Sequence, residues 1–180
     1  MGYDFFESVD VYKKSADNDL TQTKQKYFKA PQDTFSIKYA HSNSQFIPQG
    51  IPSKGWISSY FGSRTDPVFE GTAFHRGIDI AQLQGKPVWA TADGKVTFAG
   101  KKRYFGNVVE VDHPESGYKT IYAHLQTINV RTGYAVTRGQ RVGSVGSTGK
   151  STGPHLHYEV HFQNRAVDPL EFMFDPDVMP

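Results

Sequence analysis

His155-Leu156-His157-Tyr158-Glu159-Val160-His161-Phe162 alternates ionisable and apolar side chains without a break. Successive side chains of a strand point to opposite faces, so this octet reads as β. Leu156, Tyr158, Val160 and Phe162 fall on one face, and His155, His157, Glu159 and His161 on the other. Two imidazoles two positions apart lie about 6.6 Å from each other along such a strand. One can therefore bind a metal while its neighbour faces whatever occupies an open coordination position. The same texture extends outward. Pro87 to Ala90, Lys95 to Phe98, Asn107 to Val111 and Lys119 to Ala123 are short runs rich in Val, Ile, Tyr, Phe and Thr, separated by Gly, Asn, Asp or Pro. Such runs read as antiparallel strands, and Asp93-Gly94 between two of them is a hairpin signal. No segment after residue 50 sustains a helical period. The expected fold is mainly β, an antiparallel barrel-like sheet, closed or half-closed, with a groove.

His75-Arg76-Gly77-Ile78-Asp79 supplies a further imidazole and a carboxylate, and Tyr122-Ala123-His124-Leu125 a fifth candidate. Two imidazoles and a carboxylate are a standard way to hold zinc with one position open. His75 and Asp79 are four apart, but Gly77 and the alternating Ile78 and Ile80 argue for a turn running into a strand. Fully extended, that link would separate their Cα atoms by about 13 Å, so a bend at Gly77 is needed to bring them together. A zinc so held keeps a net positive charge and can acidify a bound water toward a pKa of about 7.

Taken singly, His41, His113 and His161 read as solvated or hydrogen-bonded histidines, Asp79 as a turn or capping carboxylate, and Glu159 as a residue that orients a neighbour. The set His75, Asp79, His155 and His157 is far more specific than its members. Gly149-Lys150-Ser151 is not a phosphate-binding loop, because Ser144 stands where the Walker pattern needs glycine and no helix follows. The Gly143 to Gly153 stretch reads instead as a β-connection walling the groove.

The bulk properties narrow the classes. A chain of 180 residues with 37% hydrophobic content can bury a core and suits one domain with an appendage. Its 20 basic and 18 acidic residues are interspersed, giving +2 without a block able to follow a phosphate backbone, so nucleic acid is not an expected partner. There is no cysteine, so any metal must be held by His and carboxylate. No apolar run is long enough to cross a bilayer, and no basic-then-apolar leader follows Met1. For a protein working outside the cytoplasm, Met1 then reads as a truncation point. Residues 1–49 are rich in Lys, Asp, Gln and Ser, with patchy apolar spacing at Phe5, Phe6, Val9 and Tyr12. They are expected to form a linker or regulatory extension of mixed or irregular structure. Pro and Gly around residues 47–52 mark the boundary, and residues 50–180 form the expected catalytic domain.

The segments just quoted, with Ser59-Tyr60-Phe61-Gly62-Ser63-Arg64, Gly106-Asn107-Val108-Val109 and Gly146 to His157, resemble the lysostaphin-like M23 family of zinc metallopeptidases over about residues 50–172. The resemblance implies that His75, Asp79 and His157 ligate Zn2+. It also implies that His124 and His155 flank the bound water and the scissile carbonyl as general base, acid or oxyanion stabiliser. It implies hydrolysis of peptide cross-links or stem peptides of peptidoglycan, in the cell envelope or outside the cell. A non-catalytic wall-binding or hydrolase-activating module of the same fold and a peptidoglycan carboxypeptidase are the rival readings. The family's latent forms suggest that Asn43 or His41 occludes the zinc. The lysostaphin-like branch also carries a tyrosine shortly before its first ligand, whereas the aromatic residues between Tyr60 and His75 are only Phe61, Phe69 and Phe74. The oxyanion donor is left without an assignment.

Overall fold

Short β-branched and aromatic runs form strands throughout the computed structural model, which describes residues 44–65 and 72–173. In chain order the strands are β1 (Trp56–Ser59), β2 (Gly62–Thr65), β3 (Thr72–His75), β4 (Ile78–Ala81), β5 (Pro87–Trp89), β6 (Gly94–Lys102) and β7 (Gly106–His113). They continue as β8 (Tyr118–Leu125), β9 (Thr127–Ile128), β10 (Ala135–Val136), β11 (Arg141–Ser144), β12 (His155–Phe162) and β13 (Arg165–Val167). Helical structure among the described residues is confined to the 3-10 turns Ser44–Phe46 and Pro169–Phe172.

An 8-stranded sheet runs β1-β4-β12-β8-β7-β6-β10, with β13 paired to β12. Its pairs are antiparallel, and the path ends at β1 and β10, so the mainly β fold is an open sheet and not a closed barrel. Strands β5, β11 and β9 form a second sheet, and β2 and β3 a separate pair. Val96, Val109, Val111, Tyr122, Leu156, Tyr158, Ile78 and Ile80 from the large sheet pack against Val88, Val142 and Val145. Two buried phenols lie within this core. Both are satisfied by Thr91, whose Oγ1 is 3.1 Å from the Tyr122 hydroxyl and 2.8 Å from that of Tyr158.

Strand β12 lies between β4 and β8, and its register positions the site: His157 faces Asp79 across one ladder and Ala123 across the other. Its apolar face is buried at Leu156, Tyr158 and Val160, as the alternation requires. The opposite face is buried as well, at His157, Glu159 and His161, and this is affordable only because those groups bond to one another.

One local expectation changes and another is met. Asp93-Gly94 does not turn β5 into a hairpin with β6, because β5 pairs with β11 in the other sheet. The two residues are selected by other contacts: Asp93 Oδ1 accepts from the Arg138 amide at 2.7 Å, and a Cβ on Gly94 would lie 2.4 Å from the Asp112 carbonyl oxygen. Gly77 is the bend between β3 and β4, as expected, and its φ lies outside the left-handed region. A Cβ there would stand 2.2 Å from the Tyr158 carbonyl oxygen, so glycine is required for the close approach of the turn to β12.

Residues Ser44 to Gly50 are tied to the sheets. The Gln49 amide donates to Thr91 and the Gly50 amide to Phe172, while the Arg138 guanidinium donates to the carbonyls of Ser44 and Ile47. The patchy apolar stretch from Phe5 to Tyr12 and the occluding role of His41 or Asn43 lie outside the described residues.

Candidate active site

Three strands deliver three ligand atoms to one point. His75 ends β3, Asp79 lies in β4 and His157 in β12. Asp79 Oδ1 is 3.2 Å from His75 Nε2 and 2.8 Å from His157 Nδ1, and the two nitrogens are 3.1 Å apart. For ligands about 2.0–2.1 Å from a tetrahedral zinc, the edge between two of them is roughly 3.4 Å, so these separations suit one shared ion. Among the described residues, His75, Asp79 and His157 are the group able to hold a metal.

The other nitrogen of every ring is already committed. His75 Nδ1–H donates to the Tyr60 carbonyl at 2.8 Å, which leaves Nε2 as the lone-pair atom facing Asp79. His157 is turned the other way: Nε2–H donates to Glu159 Oε1 at 2.9 Å, so Nδ1 faces the site. Glu159 in turn accepts from His161 Nε2 through its second oxygen. Such outer bonds fix tautomer and ring orientation in metal sites and make the ligand more basic.

The local field suits a cation. Burial opposes charge on Glu159, but hydrogen bonds from His157 and His161 outweigh it and bring the carboxyl down to about 2. Burial likewise opposes charge on His157, yet the bonds to Asp79 and Glu159 raise that ring to about 9. Asp79 is also held below the usual carboxylate range by the two imidazoles, in spite of its burial. Buried Glu159 and half-buried Asp79 thus bracket the imidazoles and favour positive charge at the point of convergence.

His124 and His155 stand beside this triad, with ring centroids 4.7 Å apart. His124 Nδ1–H donates to the Thr148 carbonyl and His155 Nδ1–H to the Gly153 carbonyl, both at 2.8 Å. Each is left with Nε2 available, and that of His155 is 3.8 Å from Asp79 Oδ1. Burial foremost, with the neighbouring His155 and His157, pushes His124 down to about 4, so it is neutral at pH 7 and able to accept a proton.

All five histidine and aspartate candidates line one cleft of about 560 Å3. Gly149, Lys150, Ser151 and Thr152 form one wall, and Ser58 and Ser59 of β1 also line it. Tyr104 and Phe105 are lining residues that the sequence reading missed; the only signal was an aromatic pair ahead of Gly106-Asn107 at the start of β7. Phe61 packs edge-on against Phe74 at 5.1 Å and supplies no hydroxyl to the cleft. His113 lies elsewhere, buried, with Nδ1 bonded to the Asp93 carbonyl and Nε2 to Thr120.

Residues 73–169, more than half of the chain, match peptidase family M23. The chain belongs to that family. The M23 chain is 47% identical over 114 residues to the DD-carboxypeptidase/endopeptidase Mpg of Neisseria meningitidis serogroup B, a match covering 63% of this chain and 26% of the relative. It therefore spans about a quarter of the length of that relative. A zinc-containing peptidase from Vibrio cholerae superposes with a TM-score of 0.61 at 40% identity, over 73% of this chain and 40% of the other. The catalytic domain of lysostaphin from Staphylococcus simulans gives 0.60 at 32% identity, over 66% of this chain and 91% of the domain.

Proposed function

We propose that the M23 domain, residues 50–180, is a zinc endopeptidase that hydrolyses peptide cross-links or stem peptides of peptidoglycan in the cell envelope or outside the cell. In this reading residues 1–49 are an extension, His75, Asp79 and His157 hold Zn2+, and His124 and His155 serve the reacting groups. The observation that carries it is the convergence of Asp79 Oδ1, His75 Nε2 and His157 Nδ1 beside two further imidazoles in one open cleft. Zinc held there would polarise the scissile carbonyl and make water acidic enough to attack at neutral pH.

The rest falls to side chains of this chain. His124, neutral at pH 7, takes the proton from the attacking water at Nε2 and returns it to the leaving amine. His155, fixed by the Gly153 carbonyl, presents Nε2 to the carbonyl oxygen, where a protonated ring would steady the developing charge. Glu159 and the Tyr60 carbonyl keep His157 and His75 from rotating out of place. The cleft, lined by Ser58, Ser59 and Gly149 to Thr152 beside the imidazoles, has room for a peptide at the site.

Digestion of purified sacculi followed by mass spectrometry tests this reading. Conversion of cross-linked dimers to monomers, abolished by a chelator and restored by zinc, is the expected result. Release of single D-alanine with cross-links intact would make the domain a carboxypeptidase, an activity that the name of the Neisseria relative also includes. No soluble product from intact, zinc-loaded protein would point to the non-catalytic module.

A further inference from the structure

His124 has an unusual backbone for its residue type. Its φ is 58°, in the left-handed region that a side chain with a Cβ seldom occupies. The register explains how it gets there. Asn107 of β7 pairs with Leu125 of β8, but Val109 pairs with Tyr122, so Ala123 and His124 together oppose Val108. This is a β-bulge, a device that re-aims a side chain, and here it turns His124 into the cleft. A left-handed non-glycine residue is strained and persists only where its surroundings over-determine it.

Those surroundings converge on two side chains. Thr148 Oγ1 donates to the Leu125 carbonyl at 2.8 Å, directly after the bulge, and accepts from the Asn107 amide at 2.9 Å. Asn107 Nδ2 donates to the same Leu125 carbonyl at 3.1 Å. The Thr148 main chain completes the circuit, since its carbonyl accepts from His124 Nδ1 at 2.8 Å. Thr148 is therefore bound at once to the start of β7, the end of β8 and the imidazole itself. The approach is too close for any side chain at Gly106, where a Cβ would lie 2.4 Å from Thr148 Oγ1.

We propose that the side chains of Thr148 and Asn107 form a clamp that holds His124 in its left-handed conformation and fixes its Nδ1–H tautomer. The proposal rests on the reading of His124 as the proton acceptor, and both clamp members are positioning residues. With the hydroxyl gone, the Leu125 and Thr148 carbonyls are free to shift, and Nε2 of His124 loses its defined direction and its obligatory lone pair.

The test uses the zinc-loaded protein labelled with 15N at histidine, comparing wild type with Thr148→Val, Thr148→Ser and Asn107→Ala. Long-range 1H–15N correlation spectra should show His124 protonated only at Nδ1 in wild type and Thr148→Ser, and a mixture of both tautomers in Thr148→Val. In cleavage of a cross-linked muropeptide, Thr148→Val should lower kcat by about tenfold with KM nearly unchanged, as expected for lost positioning, and Thr148→Ser should restore it. Asn107→Ala should move both readouts in the same direction by less, and it decides the matter if Thr148→Val does not fold. Wild-type tautomer and kcat in the folded variants would overturn the clamp. Full cleavage by His124→Ala would instead overturn the role given to His124, while the spectra still report on the clamp.

Discussion

Asp79 Oδ1 lies 2.8 Å from His157 Nδ1 because β4 and β12 pair in a register that sets the two residues directly opposite each other. A slip of one residue would send Asp79 to the core face beside Leu156 and turn Ile78 and Ile80 out of the core. Site geometry and core packing are thus the same constraint. Asp79→Asn keeps the shape and removes the charge. It should lower zinc affinity by more than about 100-fold, since outer-shell changes alone cost 10–100-fold, with little change in the far-ultraviolet circular dichroism. Competition with a chromophoric chelator measures the affinity.

Glu159 reaches both His157 and His161, yet is too deep in β12 to meet substrate. Glu159→Gln removes the acceptor charge at His157 and, with His157 holding zinc as proposed, should cost about 10–100-fold in zinc affinity. Cleavage at saturating zinc should suffer much less, and zinc titrations of activity separate the two effects. Equal loss at every zinc concentration would mean that Glu159 acts in the reaction itself.

Gly77→Ala tests the close approach of the β3–β4 turn to β12. The added Cβ would meet the Tyr158 carbonyl at 2.2 Å, a backbone contact that cannot swing aside. Overpacking of this kind costs typically 1–3 kcal/mol, and here it also pushes His75 and Asp79 away from His157. Urea denaturation should show the lost stability, and zinc binding should weaken in parallel.

Legibility in the sequence followed how local each signal was. The alternation from His155 to Phe162 located β12 and the His157 side chain, because period 2 needs no knowledge of the rest of the chain. Resemblance, with its intact motifs, selected which histidines belong together. Strand pairing was not legible: the Asp93-Gly94 signal was real turn chemistry, but nothing local says that β5 joins β11 rather than β6. The His124 bulge was equally hidden, since it arises from a mismatch of register between β7 and β8 and from Thr148, 24 residues further along. Tyr104 enters the cleft from a turn whose place depends on the whole sheet.

His113 gives the fold a pH dependence of known sign. Burial is the main influence, and it lowers the folded-state pKa below the ordinary 6.5 in spite of the bond to the Asp93 carbonyl. Its neutral form is thus favoured by folding, so the contribution is fully present above pH 6.5 and is lost as pH falls below that value toward the folded pKa. Thermal unfolding of the wild type at pH 7.5 and pH 5 should show a drop in Tm. His113→Gln should be less stable at pH 7.5 and should show a smaller further drop.

The most direct measurement is a zinc titration of chelator-stripped protein, wild type beside His75→Ala and His157→Ala, with X-ray absorption on the loaded form. The expected result is one tightly bound zinc per wild-type chain with two imidazole ligands and one carboxylate, muropeptide cleavage restored in proportion to zinc added, and neither in the variants. Wild-type zinc affinity in both variants, or cleavage by the stripped protein, would contradict the shared site of His75, Asp79 and His157.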